Sequence, residues 1–83
     1  MAINFLRAHQ AQKMTGYPRS SFYAQIAKGL LPTPISIGIR AVAWIESELN
    51  AVNMARIRGE TDEAIQALVA QLIANRGKEV NHE

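Results

Sequence analysis

The chain has no cysteine, so neither a disulfide framework nor thiolate metal ligation can supplement the core that 83 residues can build. No charged leader runs into an apolar stretch, and the longest apolar runs fall far short of a membrane span. A soluble, cytoplasmic protein is expected. Histidine is scarce: His9 and His82 are too distant for a local ligand motif, and no cysteine can join them. There is no glycine-rich phosphate loop, and Ser20, Ser21, Ser36 and Ser47 have no histidine at a spacing that suggests a triad. Glu46 and Glu48 stand two apart and do not share a helix face, while the adjacent Asp62 and Glu63 suit the positive end of a helix. An enzyme has no residue to rest on, and no metal, cofactor or small-molecule ligand is expected.

A further absence is more informative. Residues 1 to 45 hold Arg7, Lys13, Arg19, Lys28 and Arg40 and not one acid, a net charge of +5. Residues 46 to 83 set Arg56, Arg58, Arg76 and Lys78 against seven acids, a net charge of −3. The overall +2 therefore conceals a segregation of charge along the chain. An acid-free half favours a polyanionic partner, because each phosphate neutralised releases counterions and no carboxylate opposes the approach.

What is present is a globular composition, 48% apolar and 19% charged, of a size for one modest core. Phe5-Leu6-Arg7 reads as a short extended piece. From Ala8 the pattern turns helical, with Ala11 and Met14 on one face and Gly16 closing the segment. Tyr17-Pro18 starts a second helix that carries Phe22 and Ile26 inward and stops at Gly29. Two short helices about a glycine turn form a helix-turn-helix pattern. Leu31-Pro32-Thr33-Pro34 cannot be helical, since each proline forces its predecessor to be extended. Beyond it, Ile35 and Ile37 alternate with Ser36, and Val42 and Trp44 alternate with Ala43, about a hairpin turn at residues 38–41. Strand alternation makes Trp44 a core residue whose indole N–H needs an acceptor.

Ser47 is the expected N-cap of a third helix, which buries Leu49 and Val52 and ends near Gly59. A fourth helix starts at Thr61 and stops at Arg76-Gly77, with a broad stripe of Ile65, Leu68, Val69, Leu72 and Ile73. A lone amphipathic helix of this length is marginal in water, so the stripe must be covered, either by its own chain or by the same helix of a second copy. The second option is preferred from the sequence, which makes these five residues the expected homodimer surface. The expected organisation is a DNA-binding domain over residues 1–59, the C-terminal helix over 60–77, and a frayed tail over 78–83.

With Phe22 and Ile26 inward, Ser20, Ala24, Ala27 and Lys28 point outward on the second helix. Arg19 and Tyr23 lie on one shoulder and Ser21 and Gln25 on the other. This face is small or basic and carries no acid, as a helix entering a major groove requires. Arg40 sits beside the hairpin turn, where a wing puts a cation against a phosphate or into a minor groove. Ile39 at the tip either packs back on the hairpin or touches a partner.

Met14-Thr15-Gly16-Tyr17-Pro18-Arg19-Ser20-Ser21-Phe22-Tyr23, then Ile26-Ala27-Lys28-Gly29, Pro32 and Pro34, Gly38 with Arg40, and Trp44-Ile45-Glu46-Ser47-Glu48-Leu49 fall in the order of the AlpA family. Over about residues 4 to 55 the chain resembles that family, which is itself similar to the phage excisionases and to the DNA-binding heads of MerR-type regulators. The resemblance implies a mostly α winged helix-turn-helix with a small β-hairpin, followed by the C-terminal amphipathic helix. It implies a prophage transcriptional regulator that acts on double-stranded DNA in the nucleoid, controlling integrase expression or excision. By position, Arg19, Ser20, Ser21, Tyr23 and Lys28 would be the recognition-helix contacts and Arg40 that of the wing. The chain departs from the family where Ala24 and Ala43 replace frequent arginines, Gln25 a usual apolar residue and Ile39 a usual wing glycine. Ala24, Ala43 and Ile39 support an alternative, an adaptor of the same fold that binds an integrase or another regulatory protein.

Overall fold

The computed structural model describes residues 3–77. After a two-residue strand, β1 (Phe5–Leu6), come two helices, α1 (Ala8–Thr15) and α2 (Arg19–Ala27). Gly16 ends α1 at a φ of +82°, a left-handed conformation that lacks a steric cost only for glycine. Pro18 is the N-cap of α2, so the second helix starts where Tyr17-Pro18 leads one to expect. The chain then buries Leu30 and Leu31 in the loop that Pro32 and Pro34 keep from being helical. A hairpin, β2 (Ile35–Gly38) and β3 (Ala41–Ile45), leads into α3 (Glu46–Ile57), and α4 (Asp62–Ala74) closes the fold.

The hairpin is part of a three-stranded antiparallel sheet in the order β1-β3-β2. Phe5 pairs with Ile45 and Leu6 with Trp44, so the short extended piece at the N-terminus is a strand of its own. Two residues are too few to show a period, which is why only the hairpin is evident in the sequence. Together, the helix pair and the sheet make a winged helix-turn-helix.

β3 passes into α3 without a loop. Ile45 holds the N-cap position, and the Glu46 N–H donates to the Asn4 carbonyl at 2.9 Å. Ser47 therefore lies inside the first turn and caps nothing, contrary to expectation. The ladder to the N-terminal strand continues into Glu46 and supplies an acceptor for the first free N–H of α3. At α4 the expectation holds: the Thr61 hydroxyl accepts from the Ala64 N–H at 3.1 Å.

The core joins Ala11 of α1, Phe22 of α2, Leu30, Leu31, Trp44 of β3, Leu49, Val52 and Ala55 of α3, and Ile65 and Val69 of α4. Of the two surfaces that could cover the α4 stripe, the structure supplies the chain's own. Ile65 and Val69 are buried, and Leu68, Leu72 and Ile73 pack against the same core at partial burial. Ile65 and Val69 are therefore not open to a second copy while the chain is folded in this way. Residues 60–77 and the segment before them thus share one core. The tail over 78–83, with His82, lies outside the described residues.

The alternation along β3 also departs from expectation. Ala43 and Trp44 are both buried, whereas Val42 is exposed. Val42 and Ile37, in the half of the hairpin nearest the turn, are both more than 40% exposed. Trp44 is a core residue as expected, wedged edge-on between Phe22 and Tyr23 at centroid separations of 5.2 and 6.3 Å. Its indole N–H meets no acceptor among the described residues.

Candidate nucleic-acid interface

α2 places its side chains as the 3.6-residue period requires. Phe22 is fully buried and Ile26 packs on the core, while Arg19, Ser20, Tyr23, Ala24, Ala27 and Lys28 are exposed and Ser21 is half-buried. The helix carries no acid. Pro18 has no side chain to cap the first turn, leaving the N–H groups there open to an anion.

Arg19 and Tyr23 are brought together: the guanidinium carbon stands 5.7 Å from the centre of the phenol ring. Tyr23 also meets Phe22 edge-on at 5.2 Å. The arginine is thus laid over an aromatic plane that is itself anchored in the core, which narrows the directions in which it can reach.

Two contacts not evident in the sequence hold the helix pair. Gln66 of α4 donates through Nε2 to the Lys28 carbonyl at 2.8 Å, tying down the C-terminal end of α2. Asn53 of α3 donates through Nδ2 to the Met14 carbonyl at 3.1 Å, doing the same for α1. The partners are 38 and 39 residues apart, and neither asparagine nor glutamine announces such a role locally. Through them, α3 holds α1 and α4 holds the end of α2, so both fix the helix pair without belonging to its exposed face.

Arg40 occupies the turn between β2 and β3 and has a φ of +58°, the only non-glycine residue with positive φ among those described. That conformation costs an L-residue about 1–2 kcal/mol, and Gly38 beside it does not relieve it. Ala43 is completely buried, so alanine there is a packing residue and not a groove contact that has been lost. Ala24, by contrast, is exposed on the outward face. Gln25 is half-buried and its Oε1 lies 3.5 Å from Nη2 of Arg56.

Charge pairing divides the molecule along the same line as the sequence. Among the described residues, the arginines after position 45 are all in ion pairs: Arg56 with Asp62 at 3.3 Å, Arg58 with Glu60 at 2.8 Å, and Arg76 with Glu48 at 2.6 Å. No ion pair among the described residues engages Arg7, Lys13, Arg19, Lys28 or Arg40, and all five are exposed. Among the described residues, the positive charge of the first half is left open to solvent, while the arginines of the second half are paired with acids.

A family model described as "Prophage CP4-57 regulatory protein (AlpA)" matches residues 4–51. Among curated proteins, the "Uncharacterized protein ORF88" of Enterobacteria phage P4 is 40% identical over 55 residues, 66% of this chain and 62% of that protein. The match therefore spans about three-fifths of the length of that relative. No solved structure matches the chain.

Proposed function

The chain belongs to the AlpA family of prophage regulatory proteins, and we propose that it acts by sequence-specific binding of double-stranded DNA, with α2 in the major groove and the β2–β3 hairpin as a wing. The observation that carries this reading is the set of five exposed first-half cations, unpaired among the described residues, in a structure whose other described arginines are all paired. Arg19, Ser20, Ser21 and Tyr23 are the candidates for base and backbone contacts on α2. Lys28, at the end of that helix, is placed for phosphate, and Arg40 serves the wing. The regulatory outcome we assign is control of integrase expression or of prophage excision. Copies of the protein would meet on repeated sites in the DNA, since the α4 stripe is largely occupied by its own chain.

Binding to duplex DNA, followed by fluorescence anisotropy from low to moderate salt, tests this directly. Neutralising a handful of phosphates should give a log–log slope of roughly −3 to −5, at about 0.9 per phosphate. A flat titration, or no binding to any duplex at low salt, overturns it.

One observation favours a second reading, an adaptor that docks an integrase or another regulatory protein. Ile57 and Met54, three apart on α3, are both exposed, and Ile57 lines an open cleft with Met14, Tyr17 and Leu31 that Lys13 and Arg56 border. Salt-independent capture of a protein partner that Ile57→Ser abolishes would select this reading over DNA binding.

A further inference from the structure

The wing carries hydrocarbon that folding does not use. Ile39 is 95% exposed, and behind it Ile37 and Val42 are exposed as well. Turn tips ordinarily hold glycine, asparagine, aspartate or serine, which satisfy the backbone or tolerate its twist. A β-branched apolar residue contributes neither, and Ile39 stands outside the core cluster altogether. Its side chain neither packs back on the hairpin nor stabilises the domain.

The tip that presents it is narrow and held in shape. The turn is two residues, Ile39 and Arg40, with Arg40 in the left-handed region. The Ser36 hydroxyl donates to the Gly38 carbonyl at 3.3 Å, and the pairing register shifts between Ser36 and Gly38. A branched hydrocarbon is thereby fixed at an apex beside a guanidinium, on a hairpin without any acid.

Resting on the DNA-binding reading above, we infer that Ile39 is a wedge that enters the minor groove and partly unstacks one base step, with Arg40 on a flanking phosphate. Apolar side chains inserted in this way kink a duplex by about 20–90° towards the major groove. Charge selects DNA over a protein surface as the occupant. An apolar protein surface closing on Ile39 would desolvate the adjacent guanidinium, whereas a minor groove offers phosphates on both sides of an apolar step. The protein therefore bends its site, and it favours a flexible TA or CA/TG step beneath the wing without any hydrogen bond to those bases.

The test uses the full chain and a duplex enriched by it from a random-sequence pool. Bending is read by energy transfer between dyes on the two ends and by mobility of circularly permuted fragments. Ile39→Ser should keep the parent circular dichroism and bind within about tenfold of the parent, because unstacking costs roughly what the insertion recovers, yet lose most of the bend. Ile39→Leu, which preserves a wedge, should bend as the parent does. A parent complex that is straight, or an Ile39→Ser complex bent like the parent, overturns the wedge and leaves DNA binding intact. If Ile39→Ser leaves the bend but abolishes assembly of a second copy, the tip is a protein contact and the wedge is overturned. Failure of the parent to bind any duplex removes both readings, a result distinct from binding without bending.

Discussion

The guanidinium of Arg76 grips the carboxylate of Glu48 through two hydrogen bonds, Nη2 to Oε1 at 2.6 Å and Nε to Oε2 at 2.8 Å. The same Nη2 reaches the Thr33 carbonyl at 2.6 Å. One side chain thus ties the end of α4 to the first turn of α3 and to the proline-bounded loop before the wing. Glu48 is the one buried charged residue among those described, and Arg76 is what makes its burial tolerable.

Removal of either partner is therefore costly. Arg76→Ala should lower unfolding free energy by about 3 kcal/mol, since it strands a carboxylate away from water. Glu48→Leu combined with Arg76→Leu should recover much of that loss, because no charge is left unpaired. Urea denaturation of the single and double variants measures the difference. An Arg76→Ala protein as stable as the parent would show that the clasp contributes nothing.

α4 should behave as part of the core. Ile65 is completely buried, and Ile65→Ala should cost about 2–5 kcal/mol. Leu68→Glu with Leu72→Glu should unfold the whole domain and not merely release a helix. The thermal midpoint of the parent should not depend on protein concentration, and sedimentation should find folded monomers. A midpoint that rises with concentration would place the stripe between copies instead.

Arg19 and Tyr23 should act on DNA as a unit. Arg19→Ala should cost about 1–3 kcal/mol of binding free energy and relax specificity at one base position. Tyr23→Leu, which removes the plane beneath the guanidinium, should cost less by itself and add little once Arg19 is gone. Full additivity in that cycle would mean that the stacking does not position the arginine. Lys28→Ala should weaken binding to all sequences alike.

Arg40→Gly should separate stability from affinity. Glycine relieves the positive φ at the turn, so the variant should gain about 0.5 kcal/mol of stability once the entropy of the unfolded chain is set against it. Its DNA affinity should fall, with the salt slope reduced in magnitude by about 1. A variant both less stable and unaltered in salt dependence would contradict the role assigned to the wing.

How much of this was legible in the sequence depended on the range of the interaction. Gly16, Gly29 and Gly59 mark helix ends because all three sit at positive φ, a local demand that glycine meets without strain. The inward residues Phe22, Leu49, Val52, Ile65 and Val69 follow from periodicity alone. The open cations of the first half follow from the absence of any acid near them in the chain. Each of these depends on neighbours within a turn or two of helix, or on composition.

The tertiary structure decided everything that required two distant segments to meet. The stripe of α4 is equally suited to its own domain or to a second copy, and only the path of the chain laid it on α3. Ala43 and Trp44 are both buried, against the alternation of a strand, while Val42 between the turn and that pair is exposed. The same holds for Phe5 and Leu6 as a strand, for Asn53 and Gln66 as anchors, and for Arg76 on Glu48, joined across separations of 28 to 40 residues. Sequence patterns record which face of an element is apolar. What covers that face is set by how the elements are arranged in space, because burial and pairing are properties of the assembled surface and not of either segment alone.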